Sequence, residues 1–230
     1  MSCLRSEGAL SQAATPTFLR LPVETRKNIY KRVLAIPHPL FLFQGPQGPV
    51  ETFAPQKPRG WLALLYTNRQ ISDEASAILY GMNQFTLEEM ETQSHRAGLL
   101  ESFLRCIGPG NAASLFHLCI NFPALEQMTD TLEGIKLRED GQQSLELLQK
   151  QCVGLKTLEI VLFSQNAEFC SQDDQENIRS LRDVLLGMDM HFRSIASLNK
   201  IVLRVCSEPP APPLKEFAQE LGWVVLLGNR

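Results

Sequence analysis

The chain has 230 residues, 44% hydrophobic and 20% charged, with a net charge of −3. That balance fits a globular protein of one large domain or two closely packed ones, and it excludes a chain too polar to bury a core. A chain of this length buries roughly 70% of its unfolded surface, so it needs no metal or disulfide staple. The charge is uneven: residues 1–70 hold nine Lys/Arg against three Asp/Glu, and the remainder holds thirteen against twenty-two. A basic start and an acidic remainder suggest two functional segments.

Six cysteines (Cys3, Cys106, Cys119, Cys152, Cys170 and Cys206) are scattered without a C-x-x-C pair, which predicts reduced thiols and a cytoplasmic or nuclear location. The first residues lack the apolar run of a signal peptide. No apolar run reaches the roughly 18–20 residues a membrane span requires, so no membrane partner is expected.

Residues 1–17 are small and polar and read as a disordered tail. Pro22 then stands where a first helical turn tolerates it, with Glu24 favourable against the positive helix end. Leu21, Ile29, Val33 and Leu34 supply an apolar stripe, and Arg26, Lys27, Lys31 and Arg32 read as mostly solvated. Pro37 and Pro39 stop this helix. Residues 37–60 contain six prolines and three glycines, which predicts a long surface loop. A second helix is expected from about Trp61 to Leu79, kinked near Thr67 and Asn68 and ended by Tyr80 and Gly81.

From there one pattern recurs. Leu115-x-x-Leu118-x-Ile120 matches Leu155-x-x-Leu158-x-Ile160 and Leu198-x-x-Ile201-x-Leu203, with weaker copies at Met82-x-x-Phe85-x-Leu87 and Leu221-x-x-Val224-x-Leu226. Each alternates with period two, as a strand with one inward face does. Amphipathic stretches at about 93–107, 142–152, 173–192 and 212–221 separate the copies, and Ser171-x-x-Asp174 resembles a capping box before the third. Strands alternating with helices predict an α/β fold: a mostly parallel sheet with strands in chain order and helical crossovers. The step of about 40 residues exceeds the roughly 20–29 of leucine-rich repeats, so the expectation is an irregular leucine-rich-repeat-like sheet over residues 89–230.

Two blocks carry a family resemblance. Leu21-Pro22-x-Glu24-x-Arg26-x-x-Ile29-Tyr30-x-x-Val33-Leu34 resembles the opening of F-box domains, closest to the F-box-like proteins of filamentous fungi. Leu64-Leu65-x-x-x-Arg69-Gln70-Ile71-x-x-Glu74-Ala75-x-x-Ile78-Leu79-Tyr80-Gly81-x-x-x-Phe85 is similar to their second block. The resemblance implies a helical module over 18–88, interrupted by the 37–60 loop, that docks on the adaptor subunit of an SCF-type ubiquitin ligase. The region beyond it would hold an unknown protein substrate. It places Leu21, Pro22, Glu24, Ile29 and Tyr30 against the adaptor.

Chemistry-bearing patterns are sparse. His38, His95, His117 and His191 lie far apart without ligand spacing, so neither a metal nor a cofactor is expected. Ile107-Gly108-Pro109-Gly110-Asn111 lacks the Lys-Ser/Thr of a phosphate loop and reads as a helix C-cap with a turn. The carboxylate pairs Asp73-Glu74, Glu88-Glu89, Glu139-Asp140 and Asp173-Asp174 read as solvated or capping groups. His117 and Cys119 share the strand face opposite Leu118 and Ile120, where packing against a helix is expected rather than catalysis. These patterns favour a non-enzymatic interaction protein. An F-box-like scaffold without ligase association remains the alternative. A nucleic-acid-associated factor using the basic first helix is disfavoured by the acidic total and the 7% aromatic content.

Overall fold

The computed structural model describes residues 18–45, 48–55, 57, 60–88, 97–127, 134–163, 175–206 and 212–228. The expected tail over 1–17, Cys3, Cys170, His95, Glu89, Asp173 and the capping box at Ser171 lie outside these residues.

After a 3-10 turn at Phe18–Arg20, helix α1 spans Val23–Leu34. Pro22 leads in with extended backbone, its carbonyl accepting from the Arg26 N–H at 3.1 Å. The helix ends at Leu34, three residues before Pro37, and the steric clash ahead of a proline keeps Ile36 out of it.

The loop expected over 37–60 is instead part of the sheet. Leu40–Gln44 forms β1 and Val50–Phe53 forms β2, an antiparallel pair, and β1 also pairs in parallel with β3, Gln84–Leu87. The prolines flank these strands rather than interrupt them, and Leu40 and Leu42 are buried on the alternation a strand demands.

A 3-10 turn at Ala63–Tyr66 precedes α2, Arg69–Met82. The expected kink is a true break, because Asn68 caps α2 by accepting from the Ile71 N–H at 3.0 Å. The helix also runs through Tyr80 and Gly81 instead of stopping there.

All five copies of the repeated pattern are strands: β3, β4 (His117–Asn121), β7 (Thr157–Leu162), β8 (Lys200–Val205) and β9 (Val224–Leu227). They lie parallel in one seven-stranded sheet of order β2-β1-β3-β4-β7-β8-β9. The interruption between β4 and β7 is a small antiparallel hairpin, β5 (Leu125–Gln127) and β6 (Ile135–Leu137), which the sequence pattern did not announce. The mostly parallel α/β architecture is therefore the one the alternating pattern implied.

Four further helices follow: α3 (Ala97–Ala112), α4 (Glu139–Gln151), α5 (Gln175–Arg193) and α6 (Pro212–Glu220). Gly108 breaks α3 with φ +77°, a conformation that a side chain resists, and Pro109 opens the last turn. Each helix touches the next in chain order. Leu118, Ile120, Leu158, Ile160 and Leu203 share one buried cluster with Phe103, Leu148, Leu185 and Leu214 of that helix layer. Among the described residues no helix is long and apolar enough to cross a membrane.

Candidate functional site

The residues of the two F-box-like blocks meet between α1 and α2. Arg26 projects from α1 with its side chain only 7% exposed, which overturns its expected solvation. Its guanidinium donates to both Glu74 oxygens, from Nε at 2.8 Å and from Nη2 at 2.6 Å. Its remaining nitrogen, Nη1, donates to the carbonyls of Leu21 at 2.6 Å and Leu19 at 3.3 Å. A planar fork satisfied on both sides in this way fixes α2 and the entry turn of α1 at once.

Glu74 is correspondingly not the solvated carboxylate expected. Besides Arg26 it accepts from the Tyr30 hydroxyl at 2.9 Å and from Gln70 Nε2 at 3.0 Å. The hydrogen bonds from Arg26 and then Gln70 hold its pKa down at about 2 despite partial burial. Burial first, and then the bond to Glu74, push the Tyr30 phenol up to about 12. A carboxylate so low and so fully bonded is poorly suited to act as a general base near neutral pH.

Five residues are the docking candidates of the resemblance, and the structure divides them. Tyr30 is fully buried, packs on the Phe18 ring with centroids 5.7 Å apart, and belongs to the core. Pro22 and Glu24 are exposed, while Leu21 and Ile29 are half-buried. Beside them Leu19 and Val23 are exposed apolar side chains that the sequence did not single out. The result is a short apolar edge at the start of α1, held from below by Arg26. Of the basic residues, Lys27 pairs with Glu24 at 3.1 Å, leaving Arg20, Lys31 and Arg32 as the exposed cations of this segment.

Asn83, also missed, joins the far ends of the same two helices. Its amide donates to Leu34 O at 2.9 Å and Leu79 O at 2.8 Å, and its oxygen accepts from the Ile36 N–H at 2.9 Å. Both helix C-termini thereby share one buried side chain.

On the opposite sheet face the expected helix contact of His117 and Cys119 does not occur with the helix-layer cluster. Cys119 packs with Val161, Cys206 and Phe163 in a separate small cluster. His117 Nε2 stands 3.8 Å from Glu159 Oε2, an ion-pair distance rather than a hydrogen bond, and Arg204 Nε donates to the other Glu159 oxygen. Burial raises the Glu159 pKa, but His117 and Arg204 outweigh it and hold the group at about 2. Glu159 thus braces β7 to β8 through Arg204, with His117 of β4 beside it.

The remaining candidates are structural. Asp140, with Glu139 in the first turn of α4, pairs with Arg138 and accepts from the Gly141 N–H at 2.8 Å, so it serves that helix end. The recess beside it, near Asn121 and Ser144, is about 30 Å³, room for one water. Asp73 faces Arg69 at 4.0 Å on the surface, and His191 contacts Gln149 at 3.1 Å. No group of three metal-ligating side chains converges among the described residues.

Comparison with protein-family models, curated proteins and solved structures found no match for the chain.

Proposed function

We propose that the chain is a non-enzymatic protein-interaction protein, an F-box-like substrate receptor of an SCF-type ubiquitin ligase. The supporting observation is the α1 entry edge. Arg26 spends its donors on Glu74, Leu19 and Leu21, which orders a turn whose apolar side chains, Leu19 at 38% and Val23 at 43% exposure, remain outside the core. Ordered apolar groups of this kind are suited to act as interface anchors, because little entropy is lost when a partner covers them.

A scaffold of the same fold without ligase association is the second reading. It is favoured by β1 and β2, sheet strands that the chain inserts in sequence between the two helices of the module, and by the burial of Tyr30.

Binding of the purified chain to an SCF adaptor subunit separates the two. The receptor reading expects micromolar or tighter binding. Leu21→Ala with Pro22→Ala should then lose roughly 2 kcal/mol, about thirtyfold in affinity, while circular dichroism shows the sheet intact. Wild-type protein that fails to bind at micromolar concentration ends the ligase reading and leaves the scaffold.

A further inference from the structure

At the N-terminal rim of the parallel sheet, the connections entering β3, β4, β7 and β8 lie side by side. The Phe116 N–H donates to Tyr80 O at 3.1 Å, and the Lys156 N–H donates to Phe116 O at 2.9 Å. The N–H groups of Asn199 and Lys200 both donate to Lys156 O, at 3.0 and 3.1 Å. Phe116, Lys156 and Asn199 are thus set one strand spacing apart, about 4.8 Å per step, and Lys200 stands one residue further along, in register with Thr157. Ser197 Oγ closes the row from below, 2.7 Å from both Val153 O and Leu155 O, with its single proton shared between them.

The composition of this rim departs from that of the acidic region around it. Residues 82–83, 113–116, 152–157 and 194–200 contain two charged side chains, Lys156 and Lys200, and no carboxylate. Neither lysine forms an ion pair among the described residues. The terminal turns behind them have their own cations, Lys150 paired with Glu146 and Arg193 with Asp189. Lys156 and Lys200, lying beyond those turns, are surplus to helix-end compensation. Beside them Met82, Phe116 and Val153 are 46%, 43% and 55% exposed. An ordered backbone carrying three exposed apolar groups and two uncompensated cations is the make-up of an interaction surface rather than of a solvated edge.

We propose that this rim docks a short acidic peptide segment of a protein partner, with an aromatic or aliphatic side chain against Phe116, Met82 or Val153 and its carboxylates at Lys156 and Lys200. Charge complementarity selects this occupant over a basic or neutral one. The surface is separate from the α1 entry edge. The twelve residues of α1 span about 18 Å, and its other end is the one tied to Asn83 beside the rim. The inference therefore holds whether or not the chain binds a ligase adaptor.

The test is selection from a displayed library of random short peptides on the full chain, followed by fluorescence anisotropy of the selected peptides. The expected peptides are rich in Asp and Glu around an aromatic or aliphatic residue, and salt weakens their binding. They lose about tenfold or more in affinity on Lys156→Glu with Lys200→Glu and on Phe116→Ser, and nothing on Leu21→Ala. Thermal melting checks that each variant is folded, and Lys156→Gln with Lys200→Gln replaces a charge reversal that melts. Selected peptides that are neutral or basic, peptides indifferent to the rim variants, or no binders at all overturn the proposal. A wild-type dimer that Phe116→Ser dissociates would also overturn it and assign the rim to a second copy of the chain.

Discussion

Arg26 and Glu74, 48 residues apart in the chain, face each other through two hydrogen bonds of 2.8 and 2.6 Å. The first sits in the opening block of the F-box-like resemblance and the second in the later block. Each segment thus supplies half of one enclosed ion pair. Removing one partner leaves the other enclosed without compensation.

Arg26→Met and Glu74→Gln should therefore each lower the urea midpoint, and the double variant should be no less stable than the weaker single, since the two act as a unit. Tyr30→Phe should cost about 1 kcal/mol, the loss of a single hydroxyl bond. Additive losses in a urea double-mutant cycle would count against the pair as a unit.

Acid stability should follow Glu74 and Glu159, both held at about 2 against an ordinary value of 4.5. A lowered carboxylate contributes fully above its unfolded value and loses that contribution as pH falls toward the folded one. The urea midpoint should be level above pH 5 and decline between about 4.5 and 2. Glu159→Gln should shallow that decline. At the alkaline end, Tyr30 and Tyr80 are raised to about 12, mainly by burial. Their contribution should be present below about pH 10 and fade as pH rises through 12.

Gly154 permits a close backbone approach. A Cβ there would lie 2.1 Å from Ala113 O, an oxygen fixed in the turn before β4. Gly154→Ala should cost at least about 1–3 kcal/mol through forced displacement of backbone. Chemical denaturation of the variant measures it, and an unchanged midpoint would contradict this packing.

Ile160 is fully buried at the centre of the sheet, between Ile120 of β4 and Leu203 of β8. Ile160→Asp should abolish folding, because an unpaired buried carboxylate costs several kcal/mol, on the scale of total domain stability. A cooperative melt in the variant would place that side chain elsewhere.

Much of the sheet was legible because the L-x-x-L-x-L spacing is a local signal, repeated with the same inward face in β3, β4, β7 and β8; in β9 the register turns Val225 to the core, and Val224 and Leu226, the expected inward pair, are exposed. β1 was hidden by its surroundings. Leu40-Phe41-Leu42-Phe43 alternates as a strand should, but Pro37, Pro39, Pro46 and Pro49 crowd it, and proline density outweighed four residues of pattern. The long-range pairs carried no local signal. Arg26 and Glu74 are marked positions of the two blocks, but helical spacing alone sets Arg26 with Lys27 among the solvated cations, and only folding brings Glu74 within reach. Glu159 and Arg204, separated by 45 residues, are hidden for the same reason. Tyr30 was misplaced because its spacing fits either side of a helix whose apolar stripe is narrow.

The seam between β3 and β4 has a mechanical consequence. Residues 40–87 supply three strands of the sheet, and β3 pairs directly with β4, so the segment bearing α1 and α2 is built into the same slab as the strands after it. The start of α1 and the rim consequently lie at opposite ends of a helix about 18 Å long that is tied through Asn83 to the end of α2. Anything gripped at one end meets the other at a set angle and separation. A partner that touched both ends would therefore need to span that separation itself.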